Sequence, residues 1–600
     1  MSCRREIRLL SLSPDLRSEK LCCYLATVSL DDLPSYHALS YTWGDPRDKV
    51  TISINESDFP VTNNLHAALR CLQRTSLASP VWIDAVCINQ DCPSEKSQQI
   101  RLMYSIYANA QKTIVWLGEA SVDSGIAMDT ISKLGEDKSS GFVWEVEEHN
   151  DGSSSTAFIR EARVGANGIP YYLNNEEGSL IDTSFIESFV ALFNRDWWNR
   201  TWVVQEIALA KDAQIFCGDR SVSWDYMERA FMRTVLNAPR KSRSFQLLLR
   251  RLQADKITGL MKGSPDRGHD SAKGPLLDLL HTHAARGVCK PQDKIYAMLS
   301  LSTDPEYTLP KPDYKQSFEQ VYRQTTLNFI KHSRNLDVLS HVWDPEENSL
   351  HPSWVPSWDK THRPTLLLDS TGTRTTFQSA GKSRVKMIDS EDPQTLKLNG
   401  LLIDNIDSVS SPADGPEGWY RSQKRWETFT KMDDKPWRPY VGGGDFFNVF
   451  WRTLVTNKAM GPGALKGGDS MPQQAPEDDR RIFGYLSGRD IAPQQLLKDR
   501  QSVRKPTQAE VQNFWARLIN SIKCRRLFTT TKGYFGTGPD YMKTGDQVCV
   551  LLGGATPFIV RPNIDGYRLI GECYVHGLMY GEALQGIQTG EARIVEFRLS

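Results

Sequence analysis

Between residues 36 and 217, short apolar runs alternate with helix-patterned segments, and this alternation limits the folds open to the chain more than any other feature. Tyr36-His-Ala-Leu-Ser-Tyr-Thr42 is strand-like and stops at the turn Gly44-Asp-Pro46. Residues 50–54 and 59–61 read as the arms of a hairpin. Asn63 or Asn64 is placed to cap a helix carrying Leu65, Ala68, Leu69 and Leu72 on one face. Val81-Trp-Ile-Asp-Ala-Val86 reads as a buried strand, and 94–110 as a helix aligning Ile100, Met103, Tyr107 and Ala110. Thr113-Ile-Val-Trp-Leu117 is another strand. Residues 185–193 and 199–210 read as helices, and Ala213-Gln-Ile-Phe-Cys217 as a strand. Such alternation predicts βα units around a mainly parallel sheet, with a ligand crevice beyond the carboxyl ends of its strands. Ser40, Trp43 and Asp84 fall near such ends.

Downstream the pattern changes. Residues 276–340 read as mostly helical, with Phe318, Val321, Tyr322 and Thr325 on one face. Residues 546–552, 557–561 and 566–575 read as short strands joined by glycine-rich turns. Three stretches, about 134–180, 254–275 and 456–480, show neither period and read as loops. The expected organisation is an α/β domain at 30–225 with an inserted loop at about 134–180, then a helical region at 226–340. A C-terminal α+β region at 341–600 follows, with a small β-rich unit at about 525–600.

Composition narrows the class of function. The 600 residues carry 72 basic and 72 acidic side chains, so the basic surplus typical of nucleic-acid binders is missing. Zero net charge gives little repulsion between copies and permits self-association. The eleven cysteines form no CxxC pair, which points to free thiols in a reducing compartment. The opening residues lack a signal-peptide core, and no apolar window of about 20 residues occurs to span a membrane. A cytoplasmic protein is expected.

Chemical motifs are few. No Walker A pattern or GxSxG elbow occurs. Gly442-Gly-Gly444 and Gly533-x-x-Gly536-x-Gly538 do not lead from a strand into a helix. His281-x-His283 lacks further ligands at usable spacing, so no metal is expected. Two carboxylates stand out. Asp84 interrupts an apolar run, where it either caps the next helix or faces a ligand. Glu206 lies in Trp202-Val-Val-Gln-Glu206, and a buried glutamate there is costly unless paired. Arg195 and Arg200 are possible partners, and the crevice is the other possible surrounding. Six of the sixteen tryptophans, Trp43, Trp82, Trp116, Trp197, Trp198 and Trp202, fall in the βα region.

Four of these stretches resemble the fungal heterokaryon-incompatibility (HET) domain. They are Tyr36-His-Ala-Leu-Ser-Tyr-Thr-Trp-Gly44, Val81-Trp-Ile-Asp-Ala-Val-Cys-Ile-Asn-Gln90, Glu95-Lys-Ser-Gln-Gln99 through Val115-Trp-Leu-Gly118, and Arg195-Asp-Trp-Trp-Asn-Arg-Thr-Trp-Val-Val-Gln-Glu206. Cys289-Lys-Pro-Gln-Asp-Lys-Ile-Tyr296, Pro352-Ser-Trp-Val-Pro-Ser-Trp358 and Gly545-Asp-Gln-Val-Cys549 resemble later regions of long HET proteins. The resemblance implies non-self recognition between filamentous fungi, ending in programmed cell death, with the HET domain as the death-inducing part. It also implies association of the chain with itself or with another incompatibility protein. The domain is in turn similar to TIR domains, which implies a flavodoxin-like sheet. Trp202-x-x-x-Glu206 has the spacing of the TIR stretch whose glutamate serves NAD cleavage, with Val203 where that family has cysteine. That likeness implies an NAD-cleaving alternative. Glu206 would stabilise an oxocarbenium-like ribose, with Ser40, Trp43, Asp84 and Trp202 around it and NAD as substrate. A contact-signalling module and an accessory role in another fungal pathway are the other readings.

Overall fold

The predicted alternation is realised as a nine-stranded sheet. The computed structural model describes residues 5–75, 79–136, 142–148, 155–164, 170–172, 183–236, 254–261, 272–343, 351–360, 364–367, 377–414, 419–432, 435–458, 474–487 and 505–600. Two units divide the chain. The first is Met1–Asp304 with Lys311–Ser317, and the second is Pro305–Pro310 with Phe318–Ser600.

In the first unit the main sheet contains β1 (Glu6–Leu12), β2 (Cys22–Ser29), β3 (His37–Tyr41), β4 (Lys49–Ile54), β5 (Ser57–Thr62), β6 (Val81–Trp82) and β7 (Lys112–Trp116). An insertion supplies β8 (Phe142–Glu148), β9 (Ser155–Val164) and β10 (Pro170–Tyr172), after which β11 (Ala213–Cys217) and β12 (Arg220–Ser223) complete the main sheet. Across it the order is β12-β11-β7-β3-β6-β1-β2-β4-β5. The central strands β11, β7, β3 and β6 run parallel. Counted among themselves they follow the 2-1-3-4 order of flavodoxin-like sheets, whose switch point lies between the first and third strands, here β3 and β7. The hairpin β4–β5 pairs Val50 with Val61 and Ile52 with Phe59, as expected.

The helices of this unit are α1 (Asn63–Arg74), α2 (Asp84–Cys87), α3 (Pro93–Asn109), α4 (Ser124–Glu136), α5 (Thr183–Phe193), α6 (Val203–Ala208), α7 (Trp224–Leu236), α8 (Ala254–Met261), α9 (Leu276–Thr282) and α10 (Asp293–Tyr296). Leu65, Ala68, Leu69 and Leu72 are buried, as the period of α1 requires. Its cap is Thr62, whose hydroxyl accepts from the Leu65 amide, and neither asparagine serves. Asn64 instead donates to the Thr42 carbonyl at 2.6 Å and accepts from the Trp116 indole at 2.9 Å.

Four sequence expectations change here. The run 81–86 is a two-residue strand followed by α2, because a short apolar run buries equally well in either form and an acid suits a helix N-terminus. The segment about 134–180, expected to be a loop, ends α4 and then carries the antiparallel sheet β10-β9-β8. Alternation in Trp144-Glu-Val-Glu147 is the signal for it. The expected loop at 254–275 begins with α8, while 262–271 lies outside the described residues. The helix expected over 199–210 is split into a 3-10 turn at Asp196–Asn199, an extended Arg200 and then α6.

The second unit holds α11 (Phe318–Ser333), β13 (Leu396–Val409), α12 (Trp419–Phe429), α13 (Phe446–Leu454), α14 (Asp478–Ser487), α15 (Gln508–Ile522), β14 (Arg525–Thr530), β15 (Phe535–Pro539), β16 (Gln547–Leu551), β17 (Phe558–Asn563), β18 (Gly566–Glu572), β19 (Tyr574–Val575), α16 (Glu582–Thr589) and β20 (Ile594–Leu599). On α11, Val321, Tyr322 and Thr325 are buried and Phe318 is half-buried. Thr507 and Glu510 form a reciprocal capping box at the head of α15. Of the expected loop at 456–480, 459–473 lies outside the described residues, and α14 begins at Asp478. The expected tail strands are all present. The long strand β13 pairs with β14, β16 and β20, so the path β13-β16-β17-β18-β20 returns to β13 and closes a ring. Closure removes edges that would otherwise stay unpaired. Among the described residues no helix is long and apolar enough to cross a membrane.

Candidate functional site

The carboxyl end of β3 gathers the polar groups singled out in the sequence. Ser40 is the penultimate residue of β3 and is buried. Its hydroxyl donates to Glu206 Oε2 and accepts from the Trp197 indole Nε1–H at 2.8 Å. Glu206 is 3% exposed on α6, so its carboxyl is held in a dry setting by a hydrogen bond that Trp197 orients. The T-shaped pair Trp197–Trp198, 4.9 Å between ring centroids, walls this side.

Arg200 explains the broken helix. The backbone of this segment pairs with Gly287 instead of continuing a helical ladder. Gly287 N–H donates to the Asn199 carbonyl at 2.6 Å, and Thr201 N–H to the Gly287 carbonyl at 3.0 Å. That turn aims the Arg200 guanidinium at the Tyr41 carbonyl, to which it donates. Burial opposes the Arg200 charge, yet Glu206 and Asp84 hold it above its usual range. Arg195, the other partner considered for Glu206, donates elsewhere: to the Leu117 and Glu119 carbonyls at 3.0 and 2.8 Å and to Ser121 Oγ at 3.1 Å.

Asp84 serves its own helix and the β3 loop together. One oxygen accepts from the Ala85 amide at 2.8 Å, and the other from Trp43 Nε1–H at 2.9 Å. Trp43 remains 41% exposed and is the most open member of the cluster, with Asp84 and Arg200 half-buried beside it. Gly44 follows at φ +78°, with Asn64 Cβ only 3.2 Å from where its own Cβ would stand, so the turn after Trp43 needs glycine. Trp202 points to a different partner: its side chain hydrogen-bonds Asp293.

The electrostatics follow from burial. Desolvation pushes the Glu206 carboxyl up to about 7, opposed by Arg200 and the Ser40 hydrogen bond and reinforced by Asp84. Burial also raises Asp84, opposed by Arg200, Trp43, the Ala85 amide and Lys96. Two carboxyls thus share one guanidinium, and near neutrality one proton can reside on Glu206. Ser40, Trp43, Asp84 and Glu206 therefore come together in the structure, while Trp202 faces Asp293. The network also contains Arg200 as the central charge and Trp197 as the residue orienting Ser40. Only the cost of burying Glu206 pointed to Arg200, and no local pattern pointed to Trp197. Among the described residues, no three His, Cys, Asp or Glu side chains converge to hold a metal ion.

The model of the heterokaryon incompatibility protein (HET) family matches residues 36–206, and that of the Het-6 beta-barrel domain matches 495–592. The chain is 27% identical to "Heterokaryon incompatibility protein 6, OR allele" of Neurospora crassa, over 96% of this chain and 94% of that protein. No solved structure matches the chain. The HET match spans β3 through Glu206 in the first unit, and the barrel match covers α15 through α16 in the second, so each unit carries a segment similar to one of these two families.

Proposed function

We propose that this chain acts in fungal heterokaryon incompatibility, with its HET domain delivering a death signal by contact with itself or with another incompatibility protein. The observation that carries this reading is the alignment over nearly the whole of a relative named for heterokaryon incompatibility. The parallel sheet order supports the TIR likeness at the level of fold, and fold alone does not assign chemistry. Glu206 favours signalling over NAD cleavage: it is buried, bonded to Ser40 and beside Arg200, a setting that suits holding the β3 loop and α6 together. A glutamate that stabilises a ribose cation needs to face the ribose.

The test is inducible expression of the full chain in a filamentous host, beside Glu206→Ala and Glu206→Gln, with viability staining and NAD measured together. Death at constant NAD is the expected result. Early NAD loss, abolished by both substitutions in folded protein, would replace this reading with the glycohydrolase one. Unimpaired growth at high expression, alone and in heterokaryons between strains carrying different alleles, would refute incompatibility.

A further inference from the structure

Seven residues of the first unit, Lys311–Ser317, are separated from the rest of that unit by Pro305–Pro310 and are followed by Phe318, both of which belong to the second unit. This short strap is anchored by side chains, with Tyr314 at its centre. The Tyr314 hydroxyl donates to Asp293 Oδ1 at 2.6 Å. The Lys96 and Lys290 ammonium groups lie 4.9 and 5.1 Å from its ring centroid, and Tyr296 meets the ring edge-on at 5.4 Å. Further bonds join side chains to the strap backbone, among them one from the Tyr296 hydroxyl to the Asp313 carbonyl at 3.2 Å. Arg101 donates to the Pro312 carbonyl at 3.3 Å, and Gln292 to the Gln316 carbonyl at 3.1 Å. The Asp313 amide donates to the Tyr296 hydroxyl at 3.1 Å, and the Tyr314 amide to Ser97 Oγ at 3.4 Å. A segment tied down by side chains opens at lower cost than one held in a helix or sheet ladder.

The partners of Tyr314 lead to the site. Asp293 is buried and is hydrogen-bonded by Trp202 as well as by Tyr314. Trp202 stands immediately before α6, and its carbonyl accepts the amide of Glu206 at 3.2 Å. Lys96 acts electrostatically on Asp84. One tyrosine thus touches two routes into the Ser40–Glu206–Arg200–Asp84 cluster. The chain enters and leaves the strap through residues of the second unit, so a displacement of that unit pulls on Tyr314 through covalent bonds.

We propose that the strap Lys311–Ser317 is a releasable latch. Seated Tyr314 fixes Asp293 and, through it, Trp202 and α6. Withdrawal of the strap by the second unit frees α6 and the Glu206 cluster, converting an event sensed in one unit into a change in the HET domain. The signalling consequence rests on the reading of the HET domain as the death-inducing part, whereas the mechanical coupling does not.

Hydrogen exchange followed by mass spectrometry on the full chain tests the coupling, with wild type, Tyr314→Phe and Tyr314→Ala compared. Tyr314→Phe keeps the ring and its lysines and removes only the bond to Asp293. Exchange about tenfold faster is expected at 311–317 and also at 203–208, with β16 and β17 unchanged. Acceleration confined to 311–317, or absent from both segments, overturns the latch. The phenylalanine variant decides the matter even if the alanine variant fails to fold. In the expression assay, Tyr314→Phe should kill at a lower level of protein than wild type. Equal or weaker killing overturns the gating role. If no form kills while exchange at 203–208 still rises, the latch stands and the death-signalling reading falls.

Discussion

Replacing Glu206 with Gln tests the electrostatic account of the site most directly. Glutamine preserves the acceptor for Ser40 and the shape of the side chain while removing the charge. Burial lifts the Glu206 carboxyl from an ordinary 4.5 to about 7, so between those values the folded chain holds a proton that the unfolded chain has released. Unfolding then releases a proton, and stability falls as pH rises through 7. The contribution is fully present below 4.5 and lost above 7. At about 1.4 kcal/mol per pH unit the gap amounts to about 3 kcal/mol. Wild type and Glu206→Gln should therefore match at pH 5, and the variant should be more stable by up to about 3 kcal/mol at pH 8.5. Asp84 is raised by burial too and adds a slope of the same sign to both proteins, so the difference between them reports Glu206 together with its coupling to Asp84. With two units in the chain, a single global transition is not a safe readout. Urea-dependent hydrogen exchange at β3 and α6 reports the first unit alone. A variant less stable than wild type at pH 8.5, or parallel pH profiles, would refute the argument that burial dominates at Glu206.

Other perturbations follow from the same structure. Arg200→Met leaves Asp84 and Glu206 without their shared cation and should cost the first unit about 3–5 kcal/mol, read by the same exchange measurement. In the second unit, buried Arg525 donates to Glu572 Oε1 at 2.8 Å. Arg525→Met should destabilise that unit by about 3–5 kcal/mol, and adding Glu572→Gln should recover part of the loss, measured by urea-dependent exchange at β16 and β17. A fragment of residues 495–600 should fail to give a cooperative unfolding transition, whereas 390–600 should give one, because only the longer piece contains β13.

Elements with a strong local period were legible in the sequence. The hairpin β4–β5, helices α1 and α3, strands β7 and β11 and the tail strands all stand where pattern placed them, because one buried face per element imposes its own spacing. Errors arose where a non-local contact decides the local form. Residues 199–202 carry a helical pattern, yet their backbone pairs with Gly287, far along the chain. Asp84 stands in a run that suits a strand, yet α2 begins there. The site divides in the same way. Glu206 and Asp84 drew attention because charge amid apolar residues is costly. Trp197 looked like any core tryptophan, since nothing in its neighbours reveals a hydroxyl from β3 waiting for its N–H.

The barrel carries this distinction furthest. Its strands β16, β17 and β18 are visible as short apolar runs, yet the ring exists only because β20 and β13, the latter lying ahead of four helices, complete it. On β13, Leu396–Leu401 faces β20 while Gly400–Asn405 faces β16, with a register shift between Leu402 and Asp404. Gly400 sits where the two pairings overlap, and a Cβ there would lie 2.7 Å from the Val550 carbonyl oxygen. A bulge and a glycine at that point let one strand serve two partners at a corner. Neither feature is distinctive in the sequence, because a glycine inside an apolar run signals a turn as readily as a close backbone approach. The matched barrel segment runs from 495 to 592, so it leaves out both β13 upstream and β20 downstream, the two paired strands that close the ring.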